Sequence, residues 1–174
     1  SKAKFYAKWG GATANYNPHS VAFPQENWVE HSKKFLNHLD IELTVVSTQI
    51  EPHDYMSEIF HNILRINNIL IDLTRDIWSY ISLDYFSLKM NKNEVGSSTM
   101  PHKVNPIDFE NAEGNIGLSN ALLSHLAEKL PVSRLQRDLS DSTVLRNIGS
   151  AYGYMEIATK STLKGLEKLE ANTD

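Results

Sequence analysis

The chain has no cysteine, which excludes a disulfide framework and any thiolate metal site and leaves a reducing, cytoplasmic setting open. It has no apolar run near the roughly 20 residues needed to cross a bilayer. Ser1 to Gly10 also lacks the apolar segment of a secretory signal. Excess positive charge is absent too: 17 Lys and Arg against 21 Asp and Glu give a net charge of -4. Broad attraction to nucleic acid or to an anionic membrane is thereby excluded, and an anionic ligand would have to be met by a local basic cluster. No initiator methionine is present, and the opening residues read as loop, as an excerpt from a longer protein would. What is present is 174 residues, 41% of them hydrophobic, enough to bury a real core in a globular domain.

Trp9 to Pro24 is rich in small and turn-forming residues, with Gly10, Gly11, Asn15, Asn17 and Pro18, and reads as loop. Gln25 to Leu39 predicts a short helix and Ile41 to Val46 a β-leaning stretch. The stronger signal begins at residue 48, so the chain is read as a loop-rich lead-in over 1–47 and a helical bundle over 48–174. Thr48 and Glu51 have the spacing of a capping box, with Pro52 in the first turn. An apolar stripe follows at Met56, Ile59, Ile63, Ile66, Leu70, Leu73, Ile77 and Tyr80, with Leu64, Ile71, Trp78 and Tyr85 as a second line. Running unbroken from Pro52 to Lys89, this helix would be about 55 Å long.

A second helix is predicted to start at Asn105 as N-cap, with Pro106 at its first position. Its inner line is Phe109, Ala112, Ile116, Ser119, Leu123, Leu126 and Leu130. Gly114 and Gly117 within it would each cost about 1 kcal/mol against alanine, a cost accepted where another backbone comes close. Pro131 to Asp141 reads as a connector, and a third helix from Ser142 to Glu170 carries Val144, Ile148, Ala151, Met155 and Ala158 inward. Long heptad-like helices with short connections predict an elongated, near-parallel bundle. Their apolar faces exceed what three helices can cover for one another, so partner chains are expected to cover the rest.

Gly96-Ser97-Ser98-Thr99-Met100-Pro101-His102-Lys103-Val104-Asn105-Pro106 interrupts the helical pattern. It reads either as a polar hairpin or as a ligand loop. For the latter, Gly96 supplies a hinge and the hydroxyls of Ser97 and Ser98 can accept a proton or donate hydrogen bonds. Lys103 and Asn105 precede a helix N-terminus, where a carboxylate is favoured. It is not a nucleotide-triphosphate loop, because a single glycine precedes Lys103 at the wrong spacing and no strand feeds it. Arg137, Ser142 and Arg146 form a second constellation. With Ser142 capping the third helix and Arg146 one turn further on, two guanidinium groups and free amides can converge on one anion of phosphate type. The competing reading pairs these arginines with Asp138 and Asp141 at the surface. Glu110, read alone, is a solvated first-turn acid. Trp78 and the tyrosines lie on apolar stripes and read as core. No metal site is argued, because His53 and Asp54 have no partners at ligand spacing.

The motif Gly-Ser-Ser-x-Met-Pro-x-Lys-x-Asn-Pro is the signature of the fumarase/aspartase superfamily of lyases, which this chain resembles. Histidine at position 102 is similar to the bacterial-type adenylosuccinate lyase family. So are Thr48-Gln49-Ile50-Glu51-Pro52-His53-Asp54-Tyr55, Arg134-Leu135-Gln136-Arg137-Asp138 and Asp141-Ser142-Thr143-Val144-Leu145-Arg146-Asn147. The likeness is strongest from Gln49 to Asn147.

The resemblance implies an all-α fold, an elongated bundle of long helices, and homotetramers with active sites shared between chains. It implies β-elimination of fumarate from adenylosuccinate to leave AMP, and from the succinylated carboxamide ribotide, with no cofactor and no metal. By the same resemblance Ser97 is the catalytic base, and Lys103 with Asn105 holds the carboxylate on which charge develops. Glu110 positions a general-acid histidine that would lie upstream of this chain; a C-terminal domain would lie downstream. Arg137, Ser142 and Arg146 hold the nucleotide phosphate, and Gln49, Ser98 and Asn111 contact substrate. His53 and His102 are binding or structural. The competing expectations are another fumarate-releasing lyase, of the argininosuccinate type, or an inert oligomerising scaffold.

Overall fold

The computed structural model describes residues 4–89 and 105–173. In chain order the elements are β1 (Tyr6–Ala7), α1 (Asn17–Ala22), α2 (Trp28–Asn37), β2 (Glu42–Leu43), α3 (Asp54–Ser82), β3 (Phe86–Leu88), α4 (Ile107–Lys129), α5 (Ser140–Leu145), α6 (Ile148–Glu167) and β4 (Leu169–Ala171). Helix dominates, in keeping with the predicted all-α class. β1 pairs parallel with β2, and β3 antiparallel with β4. Contacts divide the chain into two compact units: Ser1–His61 with Ser124–Arg146, and Asn62–Leu123 with Asn147–Asp174.

The second unit is a helical packing of α3, α4 and α6. Across α3 and α4, Asn67 meets Asn120, Arg75 meets Glu113 and Trp78 meets Glu110. Partner numbers fall as positions rise, so the two helices run antiparallel. The same holds for α4 and α6, where Asn111 meets Ser161 and Ser119 meets Ala151. Ala112, Ile116 and Ala158 form the centre of the core, with Leu70 and Ile71 packed on them. All seven residues of the inner line predicted for the second helix are buried. Lys168 fastens two places at once. Its carbonyl accepts from the Lys89 amide at 2.8 Å, and its ammonium donates to Asp108 in the first turn of α4 at 2.9 Å. Lys164 lies 3.2 Å from the other oxygen of Asp108.

In the first unit, the loop after β1 turns tightly, with Gly11, Ala14 and Tyr16 at positive φ. An added Cβ on Gly10 would lie 2.7 Å from the Ala14 backbone, so only glycine fits there. Ser32 of α2 holds this loop by donating to the Trp9 carbonyl at 3.1 Å. Asn27 caps α2 through its side chain, which accepts from the Glu30 amide. The start of α3 packs on the end of α4, where the Ser57 hydroxyl donates to the Ala127 carbonyl at 2.6 Å.

Several expectations are corrected. The loop over 9–24 contains α1, started by Pro18. Thr48 and Glu51 form no capping box: the Thr48 hydroxyl donates to the Ile50 carbonyl, and Glu51 accepts from the His53 amide at 2.6 Å. α3 therefore begins at Asp54, beyond Pro52. It ends at Ser82 and not at Lys89, because Asp84 adopts a left-handed φ of 62° and the Tyr85 amide reaches back to the Tyr80 carbonyl. The most buried line of α3 is Ser57, Phe60, Asn67, Thr74 and Ile77; of the predicted stripe Ile77 is thus buried, whereas Ile66, Leu73 and Tyr80 are exposed in this chain.

α4 begins at Ile107, where the Pro106 carbonyl accepts from Phe109 and Glu110, so Asn105 is not its cap. The third predicted helix is two: α5 ends at Leu145, and α6 starts after a turn at Arg146 and Asn147. Among the described residues, nothing lies within 4 Å of where a Cβ would stand on Gly114 or Gly117. The close approach occurs instead at Gly165, whose added Cβ would lie 2.7 Å from the ring of Phe109.

Gly165→Ala is therefore expected to destabilise by about 1–3 kcal/mol, because the buried Phe109 ring cannot yield, although alanine is ordinarily the better helix former. Gly114→Ala should be neutral or stabilising; urea midpoints for the two variants check this. Burial pulls the Asp108 carboxyl upward, but the bonds and charges of Lys168 and Lys164 outweigh it and hold it below the ordinary carboxylate range. A carboxyl depressed on folding contributes stability that is present above its unfolded pKa and is lost as pH falls through the folded value. Asp108→Asn is expected to cost about 1–2 kcal/mol at neutral pH, between an exposed and a buried pair. The difference from the parent should close below about pH 4, read from urea midpoints across pH.

Candidate functional site

The described site residues fall into two groups, one in each unit. In the second unit, a cavity of about 600 Å³ is lined by Arg75, Trp78, Ser79, Glu110, Glu113 and Gly114. Its two carboxylates are held differently. Glu113 is charge-compensated by Arg75, whose Nε and Nη2 lie 2.7 and 2.6 Å from the same oxygen. Glu110 instead accepts from the neutral Trp78 indole at 3.0 Å. No cation among the described residues pairs with it, so its charge is oriented and not cancelled.

Trp78 is accordingly not the core residue that its place on the stripe suggested. It is 44% exposed, and its N–H is engaged. Asn111, on the next position of α4, donates to Ser161 at 2.6 Å and accepts from Asn115 at 3.0 Å. Asn105 is half-buried two residues ahead of the helix, its carbonyl receiving the Ile107 amide. Ser97, Ser98, His102 and Lys103 lie outside the described residues.

In the first unit, a cavity of about 560 Å³ brings the predicted contact residue Gln49 together with Gln136, Asn15, Tyr16 and Ser47. Sequence reasoning missed Gln136 and the 13–16 turn. The adjacent glycines at 10 and 11 and the Asn-Tyr-Asn-Pro run mark a built turn and not a featureless loop. Arg137 follows Gln136 directly and is exposed.

Ser142 does not cap a long helix. It is the third residue of the short α5, its hydroxyl donating to the Leu139 carbonyl at 3.0 Å. Arg146 stands just past the end of α5, four residues on and on the same side. The acids that could have neutralised these arginines are committed elsewhere. Asp138 accepts from the Ser140 hydroxyl and amide and from the Arg134 amide. The Ser140 hydroxyl and amide hold its carboxyl below the usual range. Asp141 is buried and accepts from the Ser142 amide at 2.8 Å. Among the described residues, neither Arg137 nor Arg146 has an ion-pair partner.

His53 has a left-handed φ of 63°. Its Nδ1 stands 3.2 Å from the Glu51 carboxylate, which also receives the His53 amide. It is thus embedded in the turn that starts α3, as a structural histidine would be. Among the described residues no helix is long and apolar enough to cross a membrane.

These features can be set beside known proteins. A family model described as lyase matches residues 2–118, and the chain belongs to that family. A model described as adenylosuccinate lyase C-terminal matches residues 133–174. The chain is 57% identical over 174 residues to the adenylosuccinate lyase of Escherichia coli K12, covering all of this chain and 38% of that protein. It is 59% identical over 166 residues to the adenylosuccinate lyase of Legionella pneumophila strain Corby, covering 95% of this chain and 36% of the other. With the Vibrio cholerae enzyme of the same name it shares 54% over 175 residues, all of this chain and 38% of the relative. The chain thus spans little more than a third of the length of the relatives it matches.

Proposed function

We propose that this chain is part of an adenylosuccinate lyase, which eliminates fumarate from adenylosuccinate to leave AMP and acts likewise on the succinylated carboxamide ribotide of purine synthesis. The reading is carried by one observation. Over 95–100% of its length the chain is 54–59% identical to relatives of that name, and the signature with His102 ahead of Lys103 lies within the matched stretch.

The chemistry assigns the parts. Elimination withdraws a proton from the carbon beside a carboxylate, and the charge that develops on that carboxylate must be held by a cation and preorganised donors. Ser97 is the base, and Lys103 with Asn105 is the holder. Glu110 positions the general-acid histidine supplied from elsewhere in the protein. Gln49, Ser98 and Asn111 contact substrate, and Arg137, Ser142 and Arg146 hold the phosphate. The lack of acidic partners at Arg137 and Arg146 among the described residues supports an anion-binding role over surface ion pairing. It also disfavours a substrate without phosphate, as in argininosuccinate lyases.

Exposed apolar residues on three helices, among them Ile66, Ile69, Leu118, Ile157 and Leu163, support a homotetramer in which copies cover one another and share active sites. The setting is cytoplasmic.

Expressed as its complete reading frame, the protein is expected to release fumarate from adenylosuccinate. Ser97→Ala should lower kcat by about 10²–10⁴-fold, the contribution of a general base. Arg146→Ala should weaken AMP binding by about 10–100-fold, as loss of charge-assisted bonds to phosphate predicts. Absence of fumarate release from the parent protein would sink the lyase reading. Unchanged AMP affinity in Arg146→Ala would sink the phosphate assignment.

A further inference from the structure

We propose that Trp78 is a positioning residue for Glu110, acting through its indole N–H; this rests on the lyase reading above. The cavity lined by α3 and α4 sets two glutamates one turn apart in contrasting states. Arg75 binds Glu113 at 2.6 Å and cancels its charge. Trp78 binds one oxygen of Glu110 at 3.0 Å and leaves its charge in place. Among the described residues, Arg75 and Glu113 are the other charged groups that line this cavity.

A carboxylate that must orient and polarise an imidazole needs a fixed direction and an uncancelled charge. A neutral donor on one oxygen meets both needs and leaves the other oxygen to accept from the imidazole. A lysine or arginine in place of Trp78 would fix the direction and forfeit the charge. The indole is also half-exposed and not packed in the core, so burial alone does not account for a tryptophan here. Its position on α3 is set by the antiparallel register that places Arg75 opposite Glu113 one turn earlier.

The test replaces Trp78 in the complete protein with β-(3-benzothienyl)alanine, which keeps the ring shape and puts sulfur where the N–H stood, alongside Trp78→Phe. Both are expected to lower kcat about tenfold, the effect of one lost orienting hydrogen bond, with KM changed less than about twofold. In a Glu110→Gln background the same replacements should add less than about twofold, because the two residues act on one function. Turnover by the benzothienyl variant equal to that of the parent overturns the proposal, as does a full additional loss in the Glu110→Gln background. If Phe impairs folding, the benzothienyl variant alone decides. A parent protein that releases no fumarate sinks the lyase reading itself and takes this role of Trp78 with it. Turnover by the parent with no effect at position 78 sinks only the latter.

Discussion

A single polar rung sets the register of the helices in the second unit. Asn67 of α3, fully buried, donates to Asn120 at 2.8 Å and to Ser119 at 3.4 Å on α4, and Ser119 in turn donates to the Ala151 carbonyl of α6. An all-apolar seam tolerates sliding by a turn at modest cost, whereas buried amide and hydroxyl groups lose their partners if any helix shifts. The other cross-helix pairs depend on that alignment. With Asn67 opposite Asn120, the antiparallel run places Arg75 against Glu113 and Trp78 against Glu110. On the other side, Ser119 against Ala151 brings Asp108 to Lys164 and Lys168, and Phe109 to Gly165.

The same rung explains why one helix was legible from sequence and another was not. In α4 the inner positions at steps of three and four are apolar apart from Ser119, and hydrophobic periodicity found these while missing Ala127 beside them. In α3 the deepest line includes Ser57, Asn67 and Thr74, each engaged with a backbone or amide partner. A pattern that takes polar side chains as outward-facing therefore finds Leu70, Ile71 and Ile77 but misses the polar members of the buried line and takes in Ile66 and Leu73, which are exposed in this chain. Once satisfied by hydrogen bonds, such residues are as buriable as leucine. Helix ends were misjudged for a related reason. Asp84 and His53 hold left-handed backbone that glycine would have signalled, and the turn at Arg146 and Asn147 is marked by neither glycine nor proline.

Candidate site residues could be named from sequence where a motif carried them, whereas contacts that depend on neighbours across helices could not. The arginines at 137 and 146 had two readings in the sequence, anion site or surface ion pairs. Among the described residues Asp138 and Asp141 spend their oxygens on nearby backbone and hydroxyl groups, so the second reading lacks the partners it named. Trp78 could not be recognised as a partner of Glu110 from periodicity, because the two are 32 residues apart and meet only through the register of α3 and α4. Gly165 was likewise invisible: its role comes from a ring on another helix, whereas Gly114 and Gly117, which drew notice, face open space.

The two fastenings made by Lys168 differ in kind. One uses its peptide carbonyl, which receives the Lys89 amide and is indifferent to acid, salt or the state of the side chain. The other uses its ammonium on Asp108 and responds to all three. Acylation of that amine would thus remove one of the two cations on Asp108 and leave Lys164 as the other, while the pairing of β3 with β4 stayed intact, so one lysine gives the fold a separable and an inseparable joint side by side.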